Sequence, residues 1–127
     1  MIEIGCGQGI STEIWCMHFD YVVGVDVNPI SEDHHVTPYS NFEFVSGTSP
    51  QVLEQFGEGE FDICYIDADH NEEPCYADIV ACQHIVKPDG WLAGHDWQWH
   101  DVQRAVRRAV GNARVHIFTD MSWLVKR

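Results

Sequence analysis

The sequence predicts one α/β domain with a mainly parallel sheet that ends in an antiparallel strand. Three observations predict it. Short apolar runs alternate with segments of helical period, and a glycine-rich turn, Gly5-Cys6-Gly7-Gln8-Gly9, directly follows the first run. Two final apolar runs, 115–118 and 123–125, are joined by a link too short for anything but an antiparallel pair. With 127 residues, 45% of them hydrophobic, the chain can fill one core but not two, so residues 1–127 are read as a single domain.

Residues 2–4 and 21–25 read as buried strands, and Ile10, Ile14 and Met17 lie at helical spacing between them. Residues 42–45 are a third strand. The connection 27–41 carries Pro29 and Pro38 and has no 3.6-residue period, which predicts a loop where such folds usually place a helix. Ser49 is expected to cap a short helix with Pro50 at its first position, Val52, Leu53 and Phe56 on its apolar side, and Gly57 at its end. Residues 61–66 form the next strand, followed by a helix from about Glu73 with Cys75, Ile79, Cys82 and Val86 on one stripe. Lys87-Pro88-Asp89-Gly90 predicts a turn and residues 91–94 a fifth strand. Val102, Ala105, Val106 and Ala109 then mark a helix closed by Gly111, and the final hairpin turns at Asp120.

Right-handed crossovers put the first helix on one face of this sheet and the later helices on the other. The first face is thinly covered, so Ile63, Tyr65, Leu92 and Gly94 are expected to show one side to water. A second copy of the chain, as a homodimer, or another partner chain is expected to cover it and build part of a ligand pocket, unless the chain is a fragment whose lid is missing.

The net charge of −13 opposes binding to nucleic acid, and the one basic cluster, Arg104, Arg107 and Arg108 with Arg114 nearby, reads as a solvated helix face. No membrane span or secretion signal is recognisable. Cys6, Cys16, Cys64, Cys75 and Cys82 are odd in number and form no Cys-x-x-Cys pair, which predicts small core residues in a reducing, cytoplasmic compartment.

Glu3-Ile4-Gly5-Cys6-Gly7-Gln8-Gly9 stands where the first strand enters the first helix, the place where an α/β sheet opens a crevice for ligand. A dinucleotide site needs Gly-x-Gly-x-x-Gly, and Ile10 occupies its last glycine, which leaves a nicotinamide oxidoreductase as a weak third reading. The spacing present resembles the first motif of the class I S-adenosylmethionine-dependent methyltransferases, an acidic residue followed by Gly-x-Gly-x-Gly. The resemblance implies a Rossmann-like seven-stranded sheet of order 3-2-1-4-5-7-6, here in a minimal version without N-terminal helices. It also implies that Glu3, Gly5, Cys6, Gly7 and Gly9 hold the methionine part of the cofactor. Asp26, with Val27 beside it, falls where the family grips the ribose hydroxyls, and a carboxylate accepts two adjacent hydroxyl protons well. Gly47, Thr48 and Ser49 match the turn beside the adenine, with Thr48 where the family often has an acid.

The segments from Phe61 to His70 and from Lys87 to Trp97 resemble a subgroup, the small-molecule O-methyltransferases of macrolide-sugar type and, more distantly, of catechol and caffeoyl-CoA type. The subgroup implies that Asp67, at the cofactor as well, takes part in catalysis and joins His95 and Asp96 in binding a divalent metal, with His70 as the base. A hard cation such as Mg²⁺ prefers carboxylate oxygens and lowers the pKa of a bound hydroxyl, while an imidazole suits proton removal near neutral pH. His95 stands where the sugar-modifying relatives have Glu, which shifts preference toward Mn²⁺, Fe²⁺ or Zn²⁺ or leaves His95 outside the site. Trp97 and Trp99 are expected to wall an acceptor pocket, with Tyr76 facing it and Trp91 in the core. His34, His35, His84, His100 and His116 share no spacing and read as surface or interface residues. The expected function is methyl transfer to a hydroxyl of a small-molecule acceptor. The alternative is a domain that binds S-adenosylmethionine without transfer, as a sensor, partner subunit or degenerate remnant.

Overall fold

The computed structural model describes residues 1–127. In chain order it comprises β1 (Ile2–Ile4), α1 (Ile10–His18), β2 (Val22–Asp26), β3 (Phe42–Ser46), a 3-10 helix (Gln51–Gln55), β4 (Phe61–Ile66), α2 (Glu72–Ile85), β5 (Val86–Gly94), α3 (His100–Val110), β6 (His116–Ile117) and β7 (Trp123–Lys126). The seven strands form one sheet in the expected order, β3-β2-β1-β4-β5-β7-β6. β1 to β5 are parallel, and β7 runs antiparallel to both β5 and β6. The register sets Ile4 beside both Val25 and Ile66, Asp26 beside Ser46, and Ile66 beside Gly94. Gly5, Asp26, Gly47, Asp67 and His95 therefore all emerge at one edge.

The two faces are unequal. Twenty buried residues form the core between the sheet and α2 and α3, while only six cluster on the α1 face. Side chains alternate across a strand, and Ile63 and Tyr65 take the thin face, but Ile63 is half-buried and Tyr65 is buried beneath the Trp15 ring rather than open to water. Leu92 does not take that face: it is buried against the α2 and α3 side, and Gly94 abuts the Trp123 ring. Their neighbours Trp91 and Ala93 take the thin face instead. Trp91 is accordingly partly exposed beneath Lys126, whose Nζ lies 4.6 Å from the ring centroid, rather than in the core.

α1 is rolled opposite to its apolar stripe. Ile10, Ile14 and Met17 are 66%, 50% and 59% exposed, while Thr12 and Cys16 are buried. The cause is Glu3, which is wholly buried beneath α1 and accepts hydrogen bonds from Ser11 Oγ at 2.6 Å, Thr12 Oγ1 and Trp15 Nε1 at 3.2 Å. An unsatisfied buried carboxylate costs more than leaving aliphatic side chains in water, so the hydroxyls turn inward.

Other elements differ locally. Ser49 caps no helix: Pro50 takes that position, and the Ser49 hydroxyl donates to Asp78 of α2. Residues 87–90 are extended rather than turned, so Val86 belongs to β5 and leaves the α2 stripe, with a register shift opposite Phe61 and Ile63. The connection 27–41 has no helix, as expected, and Asn41 Nδ2 pins its end to the Cys16 and Phe19 carbonyls. The arginine cluster is paired rather than merely solvated. Arg104 bonds Glu72 and Asp101, Arg108 bonds Glu73 at 2.7 Å, and Arg107 covers Trp97. All five cysteines are buried and none forms a disulfide, and no helix is long and apolar enough to cross a membrane.

Candidate functional site

The β1–α1 turn crosses the carboxyl edge of the sheet with positive φ at Gly5, Gly7 and Gly9. Opposite it, Asp26 Oδ2 accepts the Gly7 N–H at 2.9 Å, while Oδ1 accepts the Asn28 backbone N–H at 2.8 Å and its side-chain amide at 3.2 Å. These bonds aim the carboxylate along the turn and leave lone pairs for a ligand. Gly5, Gly7, Asp26, Val27, Gly47, Thr48, Ser49 and Asp67 all line one cavity of about 740 Å³.

Glu3, Cys6 and Gly9 stand outside that lining. Glu3 is consumed by α1, and burial raises its carboxyl above the usual range despite the Ser11, Thr12 and Trp15 bonds. Cys6 is buried, and desolvation with the Glu3 and Asp26 charges pushes its thiol up to about 12. Gly9 abuts the ring of His34. Asp78, which the apolar stripe of α2 conceals in the sequence, lines the cavity through its bond with Ser49, and burial raises its carboxyl. The available signal was an acid beside Ile79 on the buried side of a helix.

A second constellation adjoins the first. The ligand atoms of Asp67, His95 and Asp96 lie within 4.8 Å of one another. His70 Nε2 is 2.8 Å from Asp96 Oδ2 and 3.8 Å from Asp67 Oδ1, and His95 Nδ1 is 3.4 Å from Asp96 Oδ2. Backbone bonds from Asp67 N to Ile4 O and from His95 N to Ile66 O fix the two strand ends, and Trp123 Nε1 donates to the His95 carbonyl. Burial, then the nearby Asp96 charge, raises the Asp67 carboxyl. For Asp96, burial pulls upward but is outweighed by the Gln98 amide and the two imidazoles, which hold it below the usual range.

Two carboxylates and an imidazole are a donor set suited to Mn²⁺, Fe²⁺ or Zn²⁺. Ligands at about 2.1 Å from a cation are at most about 4.2 Å apart, a span comparable with the spacing of these three side chains. The residues present thus fit a divalent metal in type, and the glycine turn with Asp26 suits the ribose of a nucleoside and a polar group attached to it.

The aromatic wall is only half present. Trp97 is buried in the core under Arg107, because its segment packs onto α3, whereas Trp99 is exposed beside His70 and His100. Tyr76 points elsewhere, its ring 3.8 Å below Arg108 in a separate groove. His35, His84, His100 and His116 are exposed as expected, but His34 is buried. On the thin face, Ile10, Ile14, Trp15, Tyr65 and Phe118 border an apolar groove of about 580 Å³ that reaches Asp67 and His95. Asp67 thus borders both hollows.

A family model described as "Methyltransferase domain" matches residues 2–97. No curated protein matches the sequence. Among solved structures, a SAM-dependent methyltransferase from Aquifex aeolicus superposes with a TM-score of 0.69 at 17% identity, over 98% of this chain and 79% of that one. CalS11, a TDP-rhamnose 3'-O-methyltransferase of calicheamicin biosynthesis, gives 0.71 at 15%, over 99% and 70%. Spermidine synthase from Thermotoga maritima gives 0.68 at 17%, over 98% and 50%, so the chain spans half of that protein. At such identities the likeness establishes the fold, which serves more than one reaction.

Proposed function

The chain belongs to the methyltransferase-domain family, enzymes that depend on S-adenosylmethionine, and from that premise we propose that it methylates a hydroxyl of a small molecule with help from a divalent metal. One observation carries the reading: Asp67, His70, His95 and Asp96 gather beside the glycine-turn cavity, and Asp67 borders both. The likeness to a sugar O-methyltransferase supports the choice of acceptor.

S-adenosylmethionine supplies a methyl group on a cationic sulfur that departs as a neutral thioether, and a divalent metal supplies Lewis acidity that lowers the pKa of a hydroxyl. Gly5, Cys6, Gly7 and Gly9 shape the turn around the methionine part with Glu3 behind it, Asp26 and Val27 take the ribose, and Gly47, Thr48 and Ser49 border the adenine. Asp67, His95 and Asp96 would hold the metal. Asp96 Oδ2 lies 2.8 Å from His70 Nε2, a charge contact that would hold the ring at the site and stabilise it once it has taken the hydroxyl proton. Following S-adenosylhomocysteine formation over a panel of sugars and catechols tests this. We expect turnover with at least one acceptor, reduced at least about tenfold by EDTA and restored by Mn²⁺ or Mg²⁺. Turnover indifferent to EDTA would remove the metal, and binding without turnover would leave the non-catalytic alternative.

The exposed Ile10, Ile14 and Met17, with Phe118 and the groove beside them, support a second copy or partner chain over the thin face that completes the acceptor pocket. Sedimentation at micromolar concentration is expected to show a dimer, and a clean monomer would end that proposal. The five cysteines, none of them in a disulfide, and the acidic charge support a cytoplasmic protein that binds no nucleic acid.

A further inference from the structure

The helix-less connection 27–41 places one side chain directly behind the glycine turn. His34 is only 3% exposed, and its Nε2 lies 3.0 Å from the Gly7 carbonyl. The Val36 N–H points at its Nδ1 from 3.4 Å, and the ring stacks on Phe42 with centroids 6.2 Å apart. A carbonyl can only accept and a backbone N–H can only donate. The contacts therefore specify the neutral imidazole with its proton on Nε2.

The same ring defines the end of the turn. Gly9 has φ +82°, and a Cβ there would fall 2.3 Å from His34 Cε1, so the imidazole occupies the space that the missing side chain leaves. One residue on, the His35 N–H donates to the Gln8 carbonyl at 3.1 Å. Gly7 is thus tied on both sides: its N–H to Asp26 in the cavity, its carbonyl to His34 behind. A glycine turn left to itself samples many shapes, and ordering it on binding would weaken affinity.

We propose that His34 is a positioning residue for S-adenosylmethionine, holding Gly7 and Gly9 in the ligand-ready turn through its Nε2–H bond and its ring volume. It acts through Gly7 and does not itself line the cavity. The inference rests on the cofactor reading above.

The test is calorimetric titration with S-adenosylhomocysteine, with melting temperature measured in parallel. His34→Leu keeps bulk without the donor and is expected to raise Kd about tenfold, while His34→Gln, whose amide can donate to Gly7, stays within about threefold of wild type. Wild-type Kd in His34→Leu, even with a lowered melting temperature, overturns the proposal and leaves a purely structural role. If that variant does not fold, nitrogen-15 spectra of the wild-type imidazole decide: Nε2 protonated and Nδ1 bare supports the proposal, and the opposite tautomer overturns it. A wild type that ignores S-adenosylhomocysteine removes the cofactor reading itself, a result separable from equal binding by wild type and His34→Leu.

Discussion

Gly5→Ala is expected to destabilise the fold by about 4 kcal/mol and abolish cofactor binding, from two independent costs of about 1–3 kcal/mol each. Gly5 has φ +86°, where an L side chain is strained. A Cβ there would also lie 2.2 Å from the Asp67 carbonyl oxygen, 2.7 Å from its carbon and 2.9 Å from the Ala68 Cα, all backbone atoms that cannot rotate aside. The clash drives β1 away from β4, whose ends both borders of the site require. Gly7→Ala is the control: φ is +52° but nothing lies within 4 Å of the added atom, so only the strain remains, about 1 kcal/mol. Denaturant titration of the two variants measures the difference. Equal stabilities would mean that the close approach of β1 to β4 is not as described.

The elements were legible where local pattern and tertiary demand agree. Ile2 and Ile4, Val22 to Val25, and Phe61 with Ile63 to Ile66 are apolar because both faces or one deep face are buried, and Gly111 ends α3 as its position suggested. The strand order came from resemblance to a family, because parallel pairing is set by crossovers that leave no local trace. The roll of α1 was illegible for a related reason. Its apolar stripe at Ile10, Ile14 and Met17 pointed one way, and only the burial of Glu3, a tertiary fact, turns Ser11 and Thr12 inward. Asp67 and Asp96 follow β4 and β5, so their meeting followed once those strands were neighbours. His34 had no such route: it lies in a segment without period, and its role exists only because that segment folds back on the glycine turn.

His70→Ala is expected to slow transfer about 10²-fold or more, close to 3 kcal/mol of transition-state stabilisation, if its imidazole takes the acceptor proton. His70 lies outside the cofactor cavity, so the Kd for S-adenosylhomocysteine should stay within about threefold of wild type. The proposed metal ligands Asp67, His95 and Asp96 are untouched, so under that proposal the remaining activity should keep its dependence on divalent cation. The His70 side chain is 47% exposed, which leaves room for a replacement base. Imidazole in the assay should therefore recover part of the lost rate in the alanine variant and none in wild type. Asp96→Asn tests the other half of the pair, since it removes both the carboxylate charge 2.8 Å from His70 Nε2 and one of the three proposed metal ligands. Its rate should fall without recovery by imidazole. Full turnover in His70→Ala would remove the base and leave cation-assisted ionisation of the hydroxyl as the remaining route to the nucleophile.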